Sequence, residues 1–550
     1  MRKITKKISA VLSLLLASGC VVPFTACGRS GFTEKVDKTK TQLIISNFEG
    51  GFGSEWLYKV KDAFELANEG KRYEDGKTGV QILIDGNKTK GDQFDWMTTS
   101  AHVAFIEQMP TETLLSMGAN GQLLKLNDVM ASILAQDGVS IDEDLLGTLK
   151  VLDGESIYQI PHYEGAGGIV YDKDLFDEYS LYISATGGWT NASGNLSVGG
   201  DGETGTLDDG LPATYVEFFK MCDRMQQNSI TPFIISGEWK GNYGGFILNG
   251  AATSYNGEET TKAFLRMDGS QGKYISETTE SNGYFGYDVT TETASITAEN
   301  GYLKEQSPGR LYALEMWNKI ISKKYYHIGG WASTISHLDA QDMYLKSTKK
   351  NEPIAMLIDG TWWENEATAV FDSMGATNAN FKKENRNFGF MPFPTKVDAN
   401  DTNDSTDSMK YVDHLNAVAM VRSDISPAVQ NLAKDFLKYC YTPENLEAFT
   451  AQTGTTRALQ YNISDDTFTG LTPYQKDLWT LHKNGAFISK NSDSQFYGNN
   501  YTSVFLNPWQ SPTYNSSTTM FSTKGNTVTA LQFFKSFWMT QSEWDAKVVK

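Results

Sequence analysis

The segment LIDGTWWENEA, Leu357 to Ala367, places an Asp-Gly turn, two adjacent tryptophans and two glutamates directly after an apolar run. Two indoles side by side cannot both enter one core from one regular element. Successive helical side chains point about 100° apart, so one indole can pack inward while Trp362 faces out beyond the strand PIAMLID. In open α/β sheets, ligands bind in the crevice outside the carboxyl ends of the strands. Aromatic and acidic residues recur at other predicted strand ends: Phe48-Glu49 and Glu55-Trp56, Tyr163-Glu164, and Glu238-Trp239 after TPFIIS. Asp359 stands in the turn itself, and Arg457 in TGTTRAL can donate a planar fork of hydrogen bonds. Aromatic platforms combined with carboxylates, amides and a guanidinium suit a sugar, which offers flat C–H faces and a rim of hydroxyls. Taken singly, each aromatic is core; their recurrence at strand ends points to a ligand site made of Glu49, Glu55, Trp56, Tyr163, Glu164, Trp239, Asp359, Trp362 and Arg457.

Other chemistries find less support. The chain has no G-x-S-x-G elbow, P-loop or H-E-x-x-H motif. A glycosidase pair must flank the scissile bond, about 5–10 Å apart, whereas Glu364 and Glu366 lie two residues apart on one helical turn and point in different directions. Thr361-Trp362-Trp363-Glu364 instead fits a capping box, with Thr361 as cap and Glu364 folding back onto it. Six histidines without H-x-x-x-H or C-x-x-C spacing leave no zinc motif. In the Gly, Asp and Ser-rich insertion from Ser184 to Gly210, Asp201, Glu203 and Asp209, with Asp208, could hold a structural calcium. The match to a calcium loop is poor, and a solvated surface loop is the alternative; no other cofactor is expected. A formal net charge of −18 over 550 residues argues against a nucleic-acid partner.

The elements that must position these residues alternate. TQLIIS reads as a strand, NFEGGFG as a loop and SEWLYKVKDAFELANEG as a helix capped by Ser54. TGVQILIDG and HVAFIEQ give further strands, LLKLNDVMASIL a helix, and NFGFMPFP another strand. Ser426-Pro427 reads as a helix start. This spacing predicts an α/β fold with mainly parallel sheets. Glycines in YEGAGG, Tyr163 to Gly168, mark a candidate crossing between lobes, and further interruptions fall near His414 and Gly454. Cys222 and Cys440 read as buried free thiols. At the amino terminus, Arg2, Lys3, Lys6 and Lys7 precede an apolar run, the layout of a secretory signal. An uncleaved membrane anchor is the alternative, the run being near the lower length limit for spanning.

Two cysteines end that run, Cys20 and Cys27, each after small residues. FTACG resembles a bacterial lipobox, with Cys27 favoured as the lipidated residue because polar sequence begins directly after it. With EGGFGSEW, IPHYEGAGGIVYDKDLF, PIAMLIDGTWWENEA, NFGFMPFP, DHLNAVAMVRSDISPAVQNLAKDFL and FTAQTGTTRAL following in order, the chain resembles a carbohydrate-binding solute-binding lipoprotein of a bacterial ABC importer. The resemblance implies a two-lobed, maltose-binding-protein-like fold with an interlobe ligand cleft, a sugar or oligosaccharide ligand, permease and ATPase partners, a monomer lipid-anchored outside the membrane, and no catalysis. It places Trp362 at the family's stacking tryptophan and Tyr163-Glu164 at its first crossing. The expected division is a signal peptide over 1–26, a tether over 27–40, one lobe from 41–161 with 416–452, and a second from 165–412 with 456–550. The insertion at 184–210 and the tail from about Thr467 exceed the compact pattern. A secreted carbohydrate-active hydrolase, or a binding protein for a peptide or metal, are the competing readings.

Overall fold

The computed structural model describes residues 34–47, 51–85, 99–106, 111–150, 153–347, 352–413, 417–505, 509 and 528–550. Cys20, Cys27, Glu49 and the interruption near His414 lie outside them.

Two sheets organise the chain. The first contains β1 (Thr41–Asn47), β2 (Val80–Asp85), β3 (Val103–Ile106), β4 (Ile160–Pro161) and β9 (Val418–Val421) in the order β2-β1-β3-β9-β4. The second contains β5 (Gly167–Asp172), β6 (Thr231–Ile234), β7 (Ile354–Gly360) and β8 (Phe388–Phe390) in the order β8-β5-β7-β6. Each sheet has one reversed strand. β9 runs antiparallel to β3 and β4, and β5 runs antiparallel to β7 and β8. Chain direction explains both: β5 follows directly from the end of β4 and so enters the second sheet from the side where its other strands finish. The carboxyl ends of the remaining strands in both sheets therefore face the crossing.

Each sheet carries its own core. Ile169, Phe218, Phe233, Trp317, Leu357, Trp363 and Phe388 belong to a cluster around the second. Leu43, Ile45, Trp56, Phe64, Phe105, Leu432 and Phe436 belong to one around the first. Helix α1 (Glu55–Ala67) buries Trp56, Leu57, Val60 and Phe64, the helical spacing expected of it. Ser54 stands at its N-cap position, but the Ser54 hydroxyl accepts from Asn47 Nδ2 at 2.9 Å and makes no cap. Helix α4 (Pro427–Cys440) starts as its sequence predicts, with Ser426 accepting from the Val429 N–H and proline in the first turn. Its buried Val429, Leu432, Ala433, Phe436, Leu437 and Cys440 form one stripe, each large side chain contributing about 1.5–3 kcal/mol of burial. Cys222 and Cys440 are free and buried.

Leu459, Tyr461 and Leu471, assigned by sequence to the second lobe, belong to the first core. Helix α5 (Pro473–Lys483) straddles both, placing Tyr474, Leu478 and Leu481 in the second core and Trp479 in the first. A long antiparallel hairpin, Asp268–Glu280 with Tyr287–Thr297, was not foreseen.

Candidate functional site

The crossing from β4 to β5 forms the floor of the site. Gly167 and Gly360 pair across β5 and β7, and the Thr361 N–H donates to the Ala166 carbonyl at 2.9 Å. This fixes the Asp359-Gly360-Thr361 turn against the crossing. A Cβ on Gly360 would lie 2.3 Å from the Trp362 ring, so that indole rests directly on the strand end. The two tryptophans then part company. Trp363 is fully buried in the second core, with its ring 5.0 Å from Phe388 and 5.8 Å from Tyr474. Trp362, although carried by the second sheet, packs with the first core and is 8% exposed.

Phe246 accompanies it. It lies on α2 (Lys240–Arg266), two helical segments joined at Gly257, where φ is +78°. Its ring meets Trp362 edge-on at 5.9 Å and Tyr243 at 4.9 Å. Phe246 belongs to the first core and Tyr243 packs against both. A Cβ on Gly167 would come within 2.0 Å of Phe246, which is why the crossing requires glycine there. From the other lobe, Tyr163 is buried and meets Phe52 edge-on at 4.3 Å. Phe246 and Trp362 thus join the first lobe's core cluster with Tyr163, with Phe52 and Tyr243 packed against it, as the interlobe contact.

Carboxylates accompany these rings. Gln341 Nε2 donates to Asp359 at 3.0 Å and to Glu366 at 2.9 Å. Burial, then the Glu366 charge, raises the Asp359 pKa well above the usual carboxylate range. Burial raises the Tyr243 phenol, and Asp359 and Glu366 add to that shift, which places the phenol in their field. Glu164 joins the crossing to the loop after Gly454 and to α5: its carboxylate accepts from Thr456 Oγ1 at 2.9 Å and pairs with the His482 ring.

The remaining expected residues divide. Trp239, just before α2, is 45% exposed, and Glu55 is exposed in the first turn of α1. Trp56 and Arg457 lie in the first lobe's interior. The Arg457 guanidinium sits 3.8 Å from the Phe449 ring centre and 4.6 Å from that of Trp56, and donates to the His162 carbonyl at 3.1 Å. Cation–π attraction offsets part of the desolvation of that charge. Neither residue is brought to the interlobe contact. In the acidic insertion the aspartates hold the loop: Asp201 accepts from the Glu203 N–H, Asp209 from the Gly205 N–H, and buried Asp208 from the Gly200 and Asp201 N–H groups and the Thr206 and Ser408 hydroxyls. Among the described residues, no group of three or more His, Cys, Asp or Glu is placed to hold a metal ion.

The capping box is a correction. Helix α3 (Trp363–Glu366) has Trp362 at its N-cap position without a side-chain cap, and Thr361 Oγ1 has no hydrogen-bond partner among the described residues. Glu364 turns away to accept from Thr472 Oγ1 at 2.9 Å, at the start of α5. Burial pushes its pKa up to about 7, against Lys383 and hydrogen bonds from Thr472 and Gln475. A folded pKa above the unfolded value of 4.5 means that this carboxyl's stability contribution is lost as pH rises from about 4.5 through about 7. Glu364→Gln removes the charging penalty. Its stability advantage over the parent is expected to widen by about 2 kcal/mol between pH 5 and pH 8, read from melting temperatures across that range; an equal gap at both pH values contradicts the assignment.

Sequence reasoning missed Tyr243, Phe246 and Gln341. Extending a helix from Trp239 through KGNYGGFILNG would have found Tyr243 and Phe246 four and seven residues on.

A family model described as bacterial extracellular solute-binding protein matches residues 78–467, well over half of the chain. Among curated proteins none matches in sequence. Solved structures share the fold at low identity. A chitin oligosaccharide binding protein is 15% identical with a TM-score of 0.52, over 92% of this chain and 99% of its own. The apo form of RafE from Streptococcus pneumoniae is 12% identical with a TM-score of 0.53, over 94% and 100%. RafE in complex with raffinose is 14% identical with a TM-score of 0.50, over 82% and 89%. Among the described residues no helix is long and apolar enough to cross a membrane.

Proposed function

The chain belongs to the bacterial extracellular solute-binding protein family, and from that premise we propose that it captures a sugar or oligosaccharide between its lobes and delivers it to an ABC importer. The observation that carries this reading is Trp362: an indole fixed on the carboxyl end of β7 that reaches across to the first lobe's core. A sugar entering there meets an aromatic face, with the Asp359, Glu366 and Glu164 carboxylates nearby to accept from hydroxyls. The chitin oligosaccharide binding protein and raffinose-bound RafE, which share the fold, support a carbohydrate as the ligand class.

Entry requires the lobes to part, separating Trp362 and Phe246 from the first core. Stacking on the ligand then takes the place of the apolar packing that opening disrupts, and the ligand selects the closed arrangement by its differential affinity for it. A lipid on Cys27 would hold the protein at the outer face of the membrane as a monomer within reach of permease and ATPase. The protein binds its ligand without altering it.

Thermal melting against a panel of mono-, di- and oligosaccharides, including chito-oligosaccharides and raffinose, tests this reading. A ligand that binds only the folded state raises the melting temperature, by about 2.7 kcal/mol of stabilisation at a hundredfold excess over Kd. The sugar should be recovered intact after overnight incubation. Cleaved sugar would favour a hydrolase, and a shift with peptides alone would favour a peptide-binding protein.

A further inference from the structure

Trp239, Tyr243 and Phe246 stand at the start of one helix, spaced by four and then three residues. At about 100° and 1.5 Å per residue, this spacing keeps the three rings within an arc of about 60° while spreading them over about 10 Å. Their exposure falls steadily along that line: Trp239 is 45% exposed, Tyr243 half-buried and Phe246 4% exposed. The inner end is continuous with the interlobe contact, through the 4.9 Å approach of Tyr243 to Phe246 and the 5.9 Å approach of Phe246 to Trp362. Carboxylates accompany the line: exposed Glu238 precedes the outer ring in sequence, and the Asp359 and Glu366 charges act on the Tyr243 phenol.

A stripe that served only to attach the helix would be buried along its length. This one emerges into solvent as an indole, the side chain with the most apolar surface to lose there. Rings spread over about 10 Å exceed what one sugar ring can cover. We propose that Trp239, Tyr243 and Phe246 form a graded aromatic track that makes the cleft prefer an oligosaccharide to a monosaccharide. Trp239 is the platform for a ring lying at the mouth, and Tyr243 and Trp362 serve rings further in. This rests on the sugar-binding reading above and adds a length preference to it.

Calorimetric titration of the full chain with chito-oligosaccharides of one to five rings, and with a raffinose-type series of increasing length, tests the track. Parent affinity should rise with length. In Trp239→Ala the ratio of longest-member to shortest-member affinity should fall about tenfold, with an unchanged melting temperature, and Trp239→Phe should restore most of the ratio. Flat parent affinity across lengths overturns the track while leaving sugar binding intact. So does a Trp239→Ala variant that keeps the parent's ratio. No binding of either series, with no other sugar of the panel raising the melting temperature, overturns the sugar-binding reading, and the track falls with it.

Discussion

Trp362→Ala is expected to bind the cognate sugar at least about 30-fold more weakly than the parent, the loss of 2 kcal/mol or more typical of a buried aromatic anchor. The ring is held on two sides, by Gly360 beneath and by Phe246 at its edge, so a ligand meets it without first having to order it. Truncation also removes packing between the lobes, and some loss of melting temperature accompanies it. Trp362→Phe separates the two effects, because a smaller ring keeps a stacking face while giving up much of the indole's packing volume. It should recover most of the affinity. If Trp362→Ala folds and titrates like the parent, the indole is core alone.

Gly167→Ala should destabilise the protein by about 1–3 kcal/mol, the usual cost of forcing a methyl group into a filled space. The new carbon would meet three atoms of the Phe246 ring at 2.0–2.5 Å, and that ring is itself confined by Tyr243 and Trp362. In a Phe246→Ala background the same substitution should cost little, giving a coupling of about 1–3 kcal/mol in a double-mutant cycle on melting. Additive effects would mean that the crossing yields elsewhere and that Phe246 does not gate it.

The frame of the molecule was legible in sequence because it rests on local signals. Apolar runs gave β1, β2, β3, β7 and β8, helical spacing gave α1, and Ser426-Pro427 gave the start of α4. The glycines at 165–168 marked the crossing, and their reason is physical: Phe246 leaves no room above Gly167 and Phe390 none above Gly168. Contacts between distant segments overrode local motifs elsewhere. Thr361 and Glu364 have the spacing of a capping box, but the Thr361 N–H is taken by Ala166 and Glu364 by Thr472, 108 residues away. Arg457 reads as a donor in a Gly/Thr loop, and three aromatic rings from separate elements enclose it instead. The hairpin over 268–297 is rich in Thr and Glu and has few buried residues, so it lacks the apolar alternation that would announce a strand pair. Asp359 was visible as part of a turn, but its partner Gln341 comes from a helix 18 residues earlier that no motif links to it.

The central claim is that the two lobes hold a sugar at the carboxyl ends of their strands. A crystal structure grown with the sugar that most raises the melting temperature tests it most directly. A sugar ring lying on the face of Trp362, with hydroxyls donating to Asp359, Glu366 or Glu164, is the predicted result. The same sugar bound away from the interlobe cleft, with Trp362 still packed in the first core, would contradict it.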